Sequence, residues 1–147
     1  VQTCALSISA AQLANVTLVD RVADSELDAL LSSADAWLIP YRKDVAGVSV
    51  PSRFYNLLAA GRPVILVSEP EAEAALTVSE NGLGWVVTPG RPDQLADAVR
   101  LASRSQDTGM AERAVATARS FSPERALASY AALVAELLSD RDVERTA

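Results

Sequence analysis

The chain contains no histidine and a single cysteine, Cys4. Without imidazole it offers no histidine base, no Ser-His-Asp triad and no histidine zinc site. One cysteine excludes an internal disulfide framework. Cys4 has no electropositive setting in the surrounding sequence and reads as an inert thiol. Long apolar runs are also missing. None approaches the ~20 residues that a membrane-spanning helix requires, and the uncharged, weakly apolar start lacks the layout of a secretory signal. Cations are in the minority, with 13 Lys and Arg against 19 Asp and Glu and a net charge of −6. That balance argues against general nucleic-acid binding and against a broad electrostatic membrane patch. The local exception is a cluster of Arg42, Lys43, Arg53 and Arg62. No Gly-x-Gly-x-x-Gly turn follows a strand, which disfavours a dinucleotide-dependent dehydrogenase.

What is present is a globular composition. Half of the 147 residues are apolar and 22% are charged, enough for one domain with a real core. Val16 to Val19 reads as a β-branched strand. A helix follows, capped by Asp24 or Ser25, with Leu27, Leu30 and Leu31 at core-facing spacing. Ala36 to Ile39 reads as a second strand stopped by Pro40, and Val64 to Val67 as a continuous apolar strand of the buried parallel kind. Glu71 to Ser79 reads as a helix ending near Asn81-Gly82, and Trp85 to Val87 as another strand. Three helices complete the chain, at about Pro92 to Ser103, Gly109 to Arg119 and Pro123 to Leu138, the last capped by Ser122. Strands alternating with helices predict a doubly wound α/β domain, in which ligands bind beyond the C-terminal strand ends. Trp37 and Trp85 read as core. Glu71 and Glu73 read as helix-start carboxylates, with sugar-hydroxyl contact as the lesser alternative.

The most informative stretch runs from Ala46 to Ile65. A Gly-containing loop leads into a short helix opened by Pro51 and closed by Gly61, and a strand begins after Pro63. The pattern brings a loop and a helix N-terminus to one sheet edge, an arrangement suited to a phosphate or diphosphate. The run Val48-Ser49-Val50-Pro51-Ser52-Arg53-Phe54-Tyr55-Asn56, continuing into Ala59-Ala60-Gly61-Arg62-Pro63-Val64-Ile65, resembles the donor-binding motif of GT-B glycosyltransferases. It is most similar to the bacterial family 4 branch with Pro-Ser-Lys/Arg before the motif helix. Leu18 to Val22, Glu26 to Leu31, Ala34 to Pro40, Gly82 to Val87, Pro89-Gly90 and Phe121-Ser122-Pro123 fit in the same order, so that the match spans roughly residues 15 to 138.

The resemblance implies an N-terminally truncated, Rossmann-like C-terminal half of a GT-B fold, a parallel sheet with flanking helices. Its expected organisation is an atypical or partly disordered segment over 1–15, a nucleotide-sugar-binding domain over 16–139 and a frayed tail over 140–147. The family opens this half-sheet with a strand that would lie centrally, between those of Ile39 and Val19. Here only fifteen residues precede Val16, and Thr3 to Ile8 is the candidate substitute. The acceptor-binding N-terminal domain is missing too, so the chain reads as a fragment or a remnant, inactive alone.

The implied activity is retaining transfer of a sugar from a nucleotide-diphosphate donor, a UDP-sugar first, to a cell-surface polysaccharide or lipid-linked acceptor. Gly47, Val48 and Ser49 would offer backbone N–H groups to the donor diphosphate, with Lys43 and Arg53 as cationic contacts. Asn56 stands where many members place a ribose-binding glutamate. Arg21 and Val22 would meet the nucleobase through their main chain. Plain loop or helix-surface roles remain the alternative for each of these. The expected partners are the nucleotide-sugar donor and the missing domain, with no nucleic acid, no membrane span, no metal and no cofactor. The expected location is the cytoplasm, with peripheral membrane association of the full enzyme left open. The rival reading is a non-catalytic nucleotide-sugar-binding or interaction module derived from such an enzyme; a nucleotide-sugar 2-epimerase ranks below it because those enzymes rely on histidine.

Overall fold

A computed structural model describes residues 13–41 and 52–145, with side chains through residue 138. Cys4, the Thr3 to Ile8 segment, Arg42, Lys43, Gly47, Val48, Ser49 and Pro51 lie outside the described residues. After a single 3-10 turn at Asp24–Glu26 come α1 (Leu27–Ser33), β1 (Trp37–Pro40) and α2 (Ser52–Ala59). Then follow β2 (Val64–Val67), α3 (Glu73–Asn81), β3 (Gly84–Val87), α4 (Pro92–Arg104), α5 (Met110–Ser120) and α6 (Pro123–Arg145). The three strands form one parallel sheet in the order β1-β2-β3, as the strand–helix alternation predicts.

Register is set by apolar faces. Trp37 pairs with Val64 and Pro40 with Val67, while Val64 pairs with Gly84 and Val67 with Val87. On one face of the sheet, Val64 and Leu66 pack with Phe54, Leu57 and Leu58 of α2, with Ala74, Ala75 and Val78 of α3, and with Ala114 of α5. On the other, Ile65 and Val87 pack with Ala98 of α4. The central strand is therefore buried on both sides, the reason its sequence Val-Ile-Leu-Val does not alternate. Each large side chain fully buried here contributes about 1.5–3 kcal/mol, and Phe54, Leu58 and Leu66 are fully buried.

Two helix ends show how local sequence shapes this packing. At the end of α2, Gly61 N–H donates to Leu58 O (2.9 Å) and Arg62 N–H to Leu57 O (3.2 Å), the paired closure that needs a left-handed residue. Gly61 supplies it, at φ +66°. The end of α3 repeats the pattern, with Gly82 N–H bonded to Ser79 O and Leu83 N–H to Val78 O. Arg113 of α5 then covers this terminus, donating to Asn81 O (3.2 Å) and Gly82 O (2.9 Å) while paired with Asp107 at 2.6 Å. A cation at a helix C-terminus is favoured by the helix dipole.

Three expectations need correction. Val16 to Val19 forms no strand; Val16, Leu18 and Val19 are exposed, Val19 at 74%. A strand is stable only with a neighbour to receive its hydrogen bonds. Among the described residues β1 is the edge strand of the sheet, and no strand pairs with its free side. Neither Asp24 nor Ser25 caps the first helix. The Glu26 carboxylate instead reaches back to Ala23 N–H at 3.3 Å, and Leu27 stays exposed. Glu73 does stand in the first turn of α3, but Glu71 precedes the helix and the N-cap residue is Ala72, with no side-chain bond. Ser122 does cap the last helix: its hydroxyl accepts from Arg125 N–H at 3.4 Å. That helix continues to Arg145, past the point at 140 where the sequence suggests fraying.

Candidate functional site: the C-terminal edge of the sheet

The three strands end side by side, and the residue following each takes up a bond from the next strand or a helix. Tyr41 N–H donates to Val67 O (2.9 Å), and Ser68 N–H to Val87 O (3.0 Å). Thr88 N–H donates to the Gln94 side-chain carbonyl of α4 (3.1 Å). From this edge the chain turns through Glu69-Pro70-Glu71-Ala72, closed by Ala72 N–H to Glu69 O (3.1 Å), directly into α3. Proline at the second position presets this turn.

Helix α2 sorts its residues by face. Phe54, Leu57 and Leu58 are buried against the sheet, whereas Arg53 and Asn56 are exposed. Three positions apart, they lie on one side of the helix, with Arg53 in its first turn. A cation there is mildly disfavoured by the dipole unless an anion is bound. The structure thus brings Arg53 and Asn56 together. Arg21 and Val22 stand just before the 3-10 turn, where Arg21 pairs with Asp24 at 3.5 Å and is almost fully exposed, while Val22 is half-buried. Arg62, the remaining described member of the basic cluster, is elsewhere: it donates to Ser32 O at the end of α1.

Aromatic side chains back the site. Tyr55 lies 5.3 Å from Phe54 and 4.7 Å from Phe121 between ring centroids. Burial, and secondly the nearby Glu73 carboxylate, raise the Tyr55 phenol above its ordinary pKa. Burial, then Tyr55, does the same for Tyr41. Both phenols hold their protons at neutral pH and can donate. The Tyr41 hydroxyl is buried without a partner, and Ser68, 2% exposed, is the one buried polar side chain among the described residues. Sequence reasoning overlooked both. The only sequence signal was position, since each immediately follows a strand at the sheet's ligand-binding edge.

An open groove of about 520 Å³ lies at the other end of α2, lined by Ala60, Gly61, Arg62, Ala111, Glu112, Val115, Ala116 and Arg119. It borders the N-terminal edge of the sheet, away from the strand ends where ligands of such folds bind. Among the described residues no cluster of acidic or cysteine side chains could hold a metal ion, and no helix is long and apolar enough to cross a membrane.

Residues 3–104 match the family model described as glycosyl transferases group 1. The chain belongs to that family. Within it, the exposed Arg53 and Asn56 of α2 lie in the matched region, on a Rossmann-like glycosyltransferase domain. Over 85 residues the chain is 32% identical to a Pseudomonas aeruginosa protein named "Probable glycosyltransferase WbjE"; the match covers 58% of this chain and 21% of that protein. The chain therefore spans about a fifth of the length of that curated relative. No solved structure matches the chain significantly.

Proposed function

We propose that this glycosyltransferase domain is the donor-binding half of a retaining GT-B enzyme of the family 4 type. It would move a sugar from a nucleotide-diphosphate donor, a UDP-sugar first, to a cell-surface polysaccharide or lipid-linked acceptor. What supports this reading is that Arg53 and Asn56 share an exposed side of α2, the helix that follows the C-terminal end of β1 in the chain. In this reading Arg53 meets the donor diphosphate, with Lys43 and the backbone of Gly47, Val48 and Ser49. Stabilising the negative charge on the departing diphosphate is the largest contribution such a site makes. Asn56 exchanges hydrogen bonds with a ribose hydroxyl, its amide both donating and accepting. Arg21 and Val22 contact the base through main-chain groups.

Titration calorimetry with UDP and GDP, beside thermal melting, tests this. The wild-type chain should bind one of them. Asn56→Ala should weaken that binding by about 1–2 kcal/mol, the effect of leaving one hydrogen-bond partner unsatisfied, with little change in melting temperature. Asn56→Glu should bind as well or better. Unchanged affinity together with a lowered melting temperature for Asn56→Ala would make this residue structural and remove the ribose assignment.

A further inference from the structure

Tyr41 and Ser68 are the first residues beyond two paired strands. Since Pro40 pairs with Val67, they are the next pair in register. Strand alternation puts both side chains on the α2/α3 face: Trp37, Ile39 and Tyr41 pack there from β1, and Val64 and Leu66 from β2, two and four residues before Ser68. Two hydroxyl-bearing residues thus stand next to each other in register at the sheet edge, on one face. The hydroxyl of Tyr41 is buried without a partner, and Ser68 is only 2% exposed. A buried hydroxyl lacking a partner destabilises the fold, and a packed apolar side chain in place of Tyr41 would avoid that cost. The adjoining helix adds a third feature. Alanine at the N-cap of α3 leaves its first N–H groups without a side-chain acceptor, where serine or aspartate would supply one.

The surrounding charge decides what these groups recognise. Glu69, Glu71 and Glu73 place three carboxylates within five residues of the turn that follows Ser68. An added phosphate beside them would be repelled. A neutral ring carrying many hydroxyls would not be: carboxylates accept from it, while Tyr41, Ser68 and the α3 N–H groups donate to its oxygens.

We propose that Tyr41 and Ser68, with the N-terminus of α3, form the subsite for the sugar ring of the donor and govern which sugar is accepted. The assignment rests on the proposed donor-binding function. Tyr41→Phe and Ser68→Ala remove one oxygen each and keep the packing, so both variants should melt at or above the wild-type temperature. The test measures affinity for UDP-glucose, UDP-N-acetylglucosamine and GDP-mannose, each against its parent diphosphate, UDP or GDP. Wild type should favour at least one sugar nucleotide over its parent. Each variant should bind that sugar nucleotide five- to tenfold more weakly while binding the parent unchanged. An equal loss for the sugar nucleotide and its parent would overturn the sugar assignment in favour of phosphate contact. Unchanged binding of both would overturn the subsite while leaving the donor-binding function standing. Failure of wild type to bind any of these nucleotides would overturn both.

Discussion

A single hydrogen atom at Gly84 keeps the sheet together. A Cβ built on this residue would come within 1.9 Å of Val64 O, with the Val64 N and C atoms at 2.8 Å. Those atoms belong to the strand paired with it, so the clash cannot be relieved by rotating a flexible side chain. Gly84 also has φ +152°, a conformation that residues with a Cβ rarely adopt. Gly84→Ala is therefore expected to destabilise the domain by about 3 kcal/mol, to be read from urea denaturation midpoints. A variant as stable as wild type would mean that β2 and β3 separate easily. The contrast with Asn56 is useful. That exposed side chain touches no core, and its substitution should change ligand affinity while stability stays near wild type. Its candidacy was legible in sequence because the motif around Pro51 and Gly61 is local. Tyr41 and Ser68 were not legible as a pair, because their adjacency exists only once two strands 27 residues apart in the chain align in register.

Among the elements, α4 shows how a helix start is assembled without a side-chain N-cap. Arg91 precedes Pro92 at the first helical position, where a missing N–H costs nothing. The Arg91 guanidinium grips Asp93 through both carboxylate oxygens, at 3.0 and 2.6 Å. That hydrogen bond, ahead of smaller contributions, lowers Asp93 from 3.8 to about 2. A depressed carboxylate stabilises the folded state at pH values above its unfolded pKa, and the contribution disappears as pH falls from about 4 to about 2. Asp93→Asn should thus melt below wild type at pH 6, and the two should converge near pH 2. Because both side chains are more than half exposed, raising the salt concentration should also narrow the gap at pH 6. Melting curves across this pH range check the expectation; a gap that persists at pH 2 would attribute the effect to packing instead. The boundaries of α4 were readable from Pro92 and the apolar period, as were the end of α2 from Gly61 and the end of α3 from Gly82. The chain entering α1 was not legible in this way, because a short acidic stretch signals a cap without telling which residue takes it.

At the scale of the whole molecule, apolar surface is unevenly buried. The core around Phe54, Leu58 and Leu66 is closed. By contrast, Leu127, Tyr130, Leu133, Val134, Leu137 and Leu138 along α6 are all exposed, as are Val16, Leu18 and Val19 before α1. The chain spans about a fifth of its curated relative's length, and sugar transfer requires an acceptor to be held against the donor. A polypeptide of these 147 residues is therefore expected to bind donor without multiple turnover. Incubation with UDP- and GDP-sugars and lipid-phosphate acceptors, with product followed by mass spectrometry, checks this. Sustained transfer by the isolated chain would mean that it holds an acceptor unaided.

From Trp37 onward, the order of strands and helices and the parallel α/β class were determined by sequence alone. Each depends on short-range effects: apolar period, the φ of proline, and the left-handed tolerance of glycine after a last helical turn. Tertiary structure alone decided that Val16 to Val19 stays unpaired, that α3 begins without a cap, and that Tyr41 stands beside Ser68. The first and last of these depend on partners distant in the chain. A strand forms only where a neighbour offers its hydrogen bonds, and a hydroxyl is left without a partner only by what packs around it.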